Sequence, residues 1–240
     1  MPPPFAAVCF DCDSTLSAIE GVDELLAGSP PELRRDVAAL TTAAMEGTRP
    51  LAEVYETRLR LLAPRRAQLD DVGRLYVEHL VPHAKELVEA LQHLGKRVGV
   101  ISGGLLDPVR HLAAHLGIPA ANVHAVPLRF DRDGRYVDFD HGSPLWRNGG
   151  KIDVLRALPN GWRPVAFVGD GVTDLETRGT ADLFVGFGGV ADRAAVRAAA
   201  DAFVATPSLA PVLRHVTTPA ERERLPREAR FAAVLSAAEA

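Results

Sequence analysis

Cysteine is scarce in this 240-residue sequence: there are two, Cys9 and Cys12, three positions apart. So small a set excludes a disulfide-stapled scaffold. Aromatic residues make up only 6% of the chain, and no apolar run is long enough to cross a bilayer. Excess charge is also small. A net charge of −4 provides no strong field to attract nucleic acid or an anionic membrane. The N-terminal MPPPFAAVCF lacks a basic stretch leading into an apolar run, so it does not read as a secretory signal. The expectation is a cytoplasmic protein with no nucleic-acid or membrane partner.

Hydrophobic residues are plentiful, at 47%, and a chain of this length buries a sizeable core. Three short apolar runs end at polar residues. Residues 6–10 lead into Asp11, residues 97–101 into Ser102-Gly103-Gly104, and residues 164–168 into Gly169-Asp170. Runs of this kind predict buried parallel strands. Residues 183–187 form a fourth run and 203–205 a shorter fifth. Helical spacing fills the gaps at 83–94, 151–158 and 192–200. Another helix begins near Asp107-Pro108, read as an N-cap followed by proline at the first helical position. Strands alternating with helices predict an open α/β sheet. In such sheets, sites gather at the C-terminal strand ends.

Residues 17–80 break the alternation. They show helical spacing without a strand and read as an inserted cap. VHAVPLRF and YVDF flank Asp131-Arg-Asp-Gly134 and predict a β-hairpin. The expected architecture is an open parallel sheet core (1–16 and 81–216), a helical cap (17–80), a small β-hairpin insertion and a C-terminal tail (217–240). The charged run 221–230 reads as a solvated surface.

The stretch VCFDCDSTLSAIEG (residues 8–21) offers either a C-x-x-C or a pair of carboxylates. Strand alternation sends residues 9 and 12 to opposite sides. No helix N-terminus supports a thioredoxin-type motif, and no second cysteine pair completes a zinc site. Cys9 therefore reads as core. Asp11 and Asp13 stand just past a strand, and VGDGVTDLE places Asp170 and Asp174 after another. Four converging carboxylates repel one another unless a cation binds. Mg²⁺ suits an all-oxygen set that leaves room for water and a phosphate oxygen, whereas softer metals prefer His or Cys. ISGG supplies the Ser102 hydroxyl and the Gly103 amide for an anion. Lys151 follows two glycines at a helix start, where a cation does not stabilise the helix. Together these parts form a phosphoryl-transfer set. His111 and His115 lie off the apolar face of their helix and read as solvated.

Four segments in this order, DCDST, ISGG, GGK and GDGVTD, resemble the haloacid dehalogenase superfamily of phosphatases, and within it those acting on L-phosphoserine. EGVDEL, AMEG, IPAANV and ADLFVGFGG extend the resemblance. It implies a Rossmann-like core with a helical cap inserted after the first strand, and hydrolysis of L-phosphoserine to L-serine and phosphate through an aspartyl-phosphate intermediate, a step of serine synthesis. Asp11 is then the nucleophile and Asp13 the general acid and base. Mg²⁺ is held by Asp11, the Asp13 carbonyl and Asp170, and Asp174 supports its waters. Ser102, Gly103, Lys151 and Thr173 contact the phosphate. Glu20 and Arg58 take the amino-acid end of the substrate, with Met45 on an apolar wall. The chain departs from the family at Leu51, where an aromatic is common, at Val126-Pro127, and at Trp146-Arg147 before the lysine.

Three other readings stay open at this point. The same chemistry could serve another small phosphomonoester or transfer phosphate to a small alcohol. A receiver-like phospho-acceptor uses similar strand-end groups, but Asp13 and the inserted cap argue against it. A C-x-x-C redox protein is the third. Cys12, lodged between two working aspartates, is also a candidate for oxidation.

Overall fold

The computed structural model describes residues 5–45, 49–226 and 229–239. The chain opens with strand β1 (Ala7–Phe10). Four helices follow: α1 (Gly21–Glu24), α2 (Pro31–Met45), α3 (Leu51–Leu62) and α4 (Arg66–Glu78). Next come α5 (Ala84–His93), β2 (Arg97–Leu105), α6 (Leu106–His115) and β3 (Val123–Val126). A hairpin of β4 (Leu128–Phe130) and β5 (Tyr136–Phe139) precedes α7 (Gly150–Ala157), β6 (Val165–Gly169) and α8 (Val172–Leu175). The remainder is β7 (Leu183–Phe187), α9 (Ala194–Ala199), β8 (Ala202–Val204), α10 (Val212–Val216), α11 (Pro219–Glu223) and α12 (Ala229–Glu239).

Six strands form one sheet in the order β3-β2-β1-β6-β7-β8, with every pairing parallel. β1 lies inside it, and all four of its residues are buried. That is why AVCF reads as a continuous apolar run rather than an alternating one. Phe10 is in register with Val100 of β2 and Val168 of β6. Asp11 therefore emerges beside the residues that lead into Ser102 and Asp170. This register brings the three polar clusters together.

The helical insertion starts and ends at one place. The Ala18 amide donates to the His79 carbonyl at 2.8 Å, and the Val81 amide to the Leu16 carbonyl at 3.0 Å. Between these stitches run α1 to α4, with α4 packed on α6 and α2 on α3. Helix α3 reaches the hairpin through Tyr55, whose ring meets Phe139 edge-on at 5.6 Å.

Four local expectations are corrected. First, β2 runs on to Leu105 rather than ending at 101, because a register shift lets Leu105 pair with Val126. Second, residues 123–126 belong to the main sheet, so the hairpin holds only 128–130 and 136–139. Third, α6 follows directly from β2, with Leu105 at the N-cap position and Asp107 inside the first turn. Fourth, the run 221–230 is not wholly solvated. Leu225 is buried, and Glu221 accepts a hydrogen bond from the buried Lys96 ammonium at 2.6 Å. Lys96 also donates to the Phe5 carbonyl at 2.9 Å. Helix α12 packs on α5, and its Phe231 ring lies 5.3 Å from His93. His111 and His115 are exposed, in line with their sequence reading.

Candidate active site

The sequence-predicted residues Asp11, Asp13, Glu20, Arg58, Ser102, Gly103, Lys151, Asp170 and Thr173 all line one cavity of about 210 Å³. Asp174 is fully buried beneath it. Met45 ends α2, and its side chain lies outside the described part of the structure.

Asp11 stands at the end of β1. Its Oδ1 accepts from the Cys12 amide at 2.7 Å, and its Oδ2 lies 2.8 Å from the Lys151 ammonium. Lys151 is buried and also ion-paired with Asp174. Burial alone would lower the Lys151 pKa, but Asp11 and Asp174 outweigh it and raise the value above the ordinary range. The ammonium therefore stays charged.

The sequence around Lys151 explains how a cation sits so deep at a helix start. Gly149 adopts φ +73°, a conformation costly for other residues. At Gly150 a Cβ would fall 2.0 Å from the Pro144 carbonyl oxygen. The two glycines thus let α7 begin against the 144–146 turn and carry Lys151 inward.

Asp13 is held differently. Its Oδ1 accepts from the Tyr76 hydroxyl at 2.5 Å and from the Gly21 amide at 2.7 Å. Gly21 is required there, since a Cβ would sit 2.1 Å from the Tyr76 hydroxyl oxygen. Burial, with Glu20 and Asp11 nearby, pushes the Asp13 pKa up to about 7, against the opposing pull of these two hydrogen bonds. A carboxyl near neutrality can both give and take a proton.

Asp11, Asp170 and Asp174 present oxygens within 4.8 Å of one another, all buried. Burial, with Asp11 nearby, pushes the Asp174 pKa up to about 7 despite Lys151. Asp174 Oδ2 accepts from the Gly171 amide at 2.8 Å. Asp170 Oδ1 accepts from the Thr15 hydroxyl at 3.0 Å, and its Oδ2 pairs with Arg193. Hard, anionic oxygen donors in a compact set fit a small divalent cation. Cys12, a soft donor next to Asp11 and Asp13 in the sequence, is unsuited. It is fully buried, and burial, with Asp13 and Asp11 close by, raises its thiol pKa well above the usual value. This corrects the expectation that Cys12 is oxidation-prone, because reactivity needs an accessible thiolate. Both cysteines are free.

On the cap side, Glu20 Oε1 accepts from the Ser14 hydroxyl at 2.6 Å, and desolvation raises its pKa. Arg58 Nη2 lies 3.4 Å from Asp23. Within β2, Ser102 is buried and its Oγ accepts from the Gly104 amide at 3.0 Å.

Sequence reasoning missed Tyr76, Arg193 and Tyr55. Tyr76 lies on α4 beside the buried Leu69 and Val72, so it looks like core. Arg193 follows the β7 strand end, and the strand-end rule would have found it. Tyr55 shares an amphipathic helix with Arg58 and carries no separate signal.

A parallel sheet whose strand ends converge carboxylates, a buried lysine and a serine on one cavity defines a phosphoryl-handling hydrolase. The profile of the haloacid dehalogenase-like hydrolases matches residues 8–177. The phosphoserine phosphatase of Mus musculus is 40% identical over 185 residues, covering 76% of this chain and 81% of the mouse protein. A phosphoserine phosphohydrolase-like protein from Francisella tularensis superposes with a TM-score of 0.74 at 25% identity, over 83% of this chain and 95% of that one. A substrate-bound phosphoserine phosphatase shares the fold, with a TM-score of 0.76 at 22% identity over 90% of this chain and 100% of that one. The chain belongs to the haloacid dehalogenase-like hydrolase family and is a phosphomonoester hydrolase. No helix among the described residues is long and apolar enough to cross a membrane.

Proposed function

We propose that this enzyme hydrolyses L-phosphoserine to L-serine and phosphate, with Mg²⁺ as cofactor and Asp11 as the phosphorylated residue. The carrying observation is the pairing of two differently held aspartates over one cavity. Asp11 is flanked by Lys151 and the Cys12 amide. Asp13 is poised near neutrality by burial. The identity to phosphoserine phosphatases supports the substrate.

Asp11 attacks phosphorus, and the seryl oxygen–phosphorus bond breaks. Asp13 gives its proton to the departing oxygen. A water then attacks the phosphorus of the aspartyl phosphate as Asp13 takes its proton, and Asp11 is released with free phosphate. A dianionic ester and an anionic nucleophile repel, so Lys151 supplies a fixed positive charge, and Ser102, Gly103 and Thr173 orient the phosphoryl oxygens. Mg²⁺, held by Asp11, the Asp13 carbonyl and Asp170 with Asp174 behind, would neutralise further phosphoryl charge. Glu20 suits the substrate ammonium and Arg58 its carboxylate.

In this reading residues 17–80 form a cap that closes over the core, and the enzyme works in the cytoplasm on a free metabolite. The test is phosphate release from L-phosphoserine with and without Mg²⁺, alongside Asp11→Asn. The expected result is turnover that needs both Mg²⁺ and Asp11. Turnover undiminished by metal chelation, or retained by Asp11→Asn, rejects the mechanism.

A further inference from the structure

Among the described residues, three buried side-chain polar atoms lack a hydrogen-bond partner: the Tyr55 hydroxyl, Arg58 Nε and Trp146 Nε1. Buried polar groups are nearly always paired, because leaving one unpaired costs stability. All three residues line the cavity that holds Asp11 and Asp13. Their clustering there marks groups whose partner is a ligand.

We infer that Tyr55 and Trp146 are specificity-determining residues that, with Arg58, take the carboxylate of the substrate's amino-acid end. This rests on the phosphoserine reading above. The chemistry of the set is one-sided. An indole N–H and a guanidinium N–H can only donate, and a tyrosine hydroxyl can donate as well. Burial, with Asp13 nearby, raises the Tyr55 pKa, so its proton is retained. Three unpaired donors on residues that line one cavity call for an acceptor with several lone pairs, which a carboxylate provides.

The phosphate has its own partners elsewhere. Ser102 and Gly103 sit within β2, and Lys151 sits at the start of α7. Tyr55 and Arg58 come from cap helix α3, and Trp146 from the 144–146 turn. The donors therefore belong to a different wall from the reacting aspartate.

The geometry also holds them firmly. Phe139 packs edge-on against Tyr55 at 5.6 Å and against Trp146 at 5.3 Å. His141 meets Trp146 edge-on at 5.7 Å from a further side. A single ring thus fixes one donor on the cap and one on the core, so the carboxylate would bridge the two parts when it binds.

The experiment compares L-phosphoserine with O-phosphoethanolamine, which lacks the carboxylate, in the wild type, Tyr55→Phe and Trp146→Phe. Each phenylalanine keeps an aromatic ring against Phe139 while removing the polar atom. We expect KM for L-phosphoserine to rise about tenfold in each variant, the loss of one hydrogen bond to a charged group. KM for O-phosphoethanolamine should stay within about twofold. Inhibition by free L-serine should weaken in parallel, a readout independent of turnover. Equal losses on both esters, or unchanged constants for L-phosphoserine, overturn the inference while leaving the phosphatase reading intact. A wild type that treats the two esters alike rejects the phosphoserine reading itself, and the inference with it.

Discussion

Arg193 is ion-paired with Asp170 while Thr15 holds the other oxygen of the same carboxylate at 3.0 Å. Asp170 is one of three buried carboxylates whose oxygens lie close enough together to hold a cation, so a metal bound there would compete with the guanidinium. Glu20 offers Arg193 a second partner, 4.0 Å away. Arg193→Ala is therefore expected to tighten metal binding about threefold to tenfold, as the competing ion pair disappears. It should also lower the melting temperature of the metal-free protein, because the carboxylates lose a neighbouring cation. Calorimetric titration with Mg²⁺ checks the first effect and a thermal melt the second. Weaker metal binding in the variant would show that Arg193 assists the metal instead of opposing it.

Tyr76 donates to the ionised form of Asp13 and so lowers its pKa against the larger effect of burial. Removing the hydroxyl takes away stabilisation of the charged form, so the Asp13 pKa rises. In Tyr76→Phe, Asp13 stays protonated to higher pH. If Asp13 is the acid, as proposed above, the alkaline limb of kcat/KM is expected to move to higher pH by about one unit. A pH–rate profile at saturating Mg²⁺ measures it. A shift to lower pH, or none, means Tyr76 does not act through the Asp13 proton.

The core strands were legible in the sequence because parallel strands leave a simple mark. AVCF, RVGVI and PVAFV are apolar runs, and Asp11, Ser102 and Asp170 stand just beyond them. Lys151 was legible because a cation at a helix start has no local reason to be there. Other features depend on contacts distant in sequence. Tyr76 finds Asp13 from 63 positions away, and Lys96 finds Glu221 from 125. The hairpin boundary was misjudged because β3 and β4 are separated by Pro127 alone, so two strands of different sheets read as one. Cys12 drew suspicion from its neighbours in sequence, whereas its reactivity is set by burial.

Asp13 and Asp174 both have pKa values raised to about 7 by burial. Such groups hold their proton more tightly when folded than when unfolded. Their contribution to stability is therefore full below the unfolded carboxylate value, about pH 4. It is lost as pH rises through about 7. Metal-free protein should lose stability across this window. Mg²⁺ binds the ionised form and so should raise the melting temperature more at pH 8 than at pH 5. Thermal melts at the two pH values, with Mg²⁺ and with chelator, give the comparison. A larger metal effect at pH 5 would contradict the assignment of the Asp174 carboxylate to the metal cluster.

Glu221 ties the C-terminal segment to the core through Lys96, whose ammonium also caps the Phe5 carbonyl. Burial by itself would raise the Glu221 pKa, but hydrogen bonds from Lys96 and from the Thr218 amide outweigh it and hold the carboxyl below its ordinary value. A lowered carboxylate stabilises the fold above its unfolded pKa and loses that contribution as pH falls through the folded one. Glu221→Gln leaves a buried ammonium with its carbonyl partner but without its counter-charge. The expected cost is about 2 kcal/mol, which lowers the melting temperature by about 4–8 °C for a chain of this size. The variant should also lose less stability than wild type between pH 6 and pH 3, since the titrating group is gone. Activity per folded molecule should be unchanged, because Glu221 does not line the catalytic cavity. Chemical denaturation at several pH values, paired with a turnover assay, separates the two effects. Lost turnover at full stability would assign the segment a role in the site rather than in holding the fold.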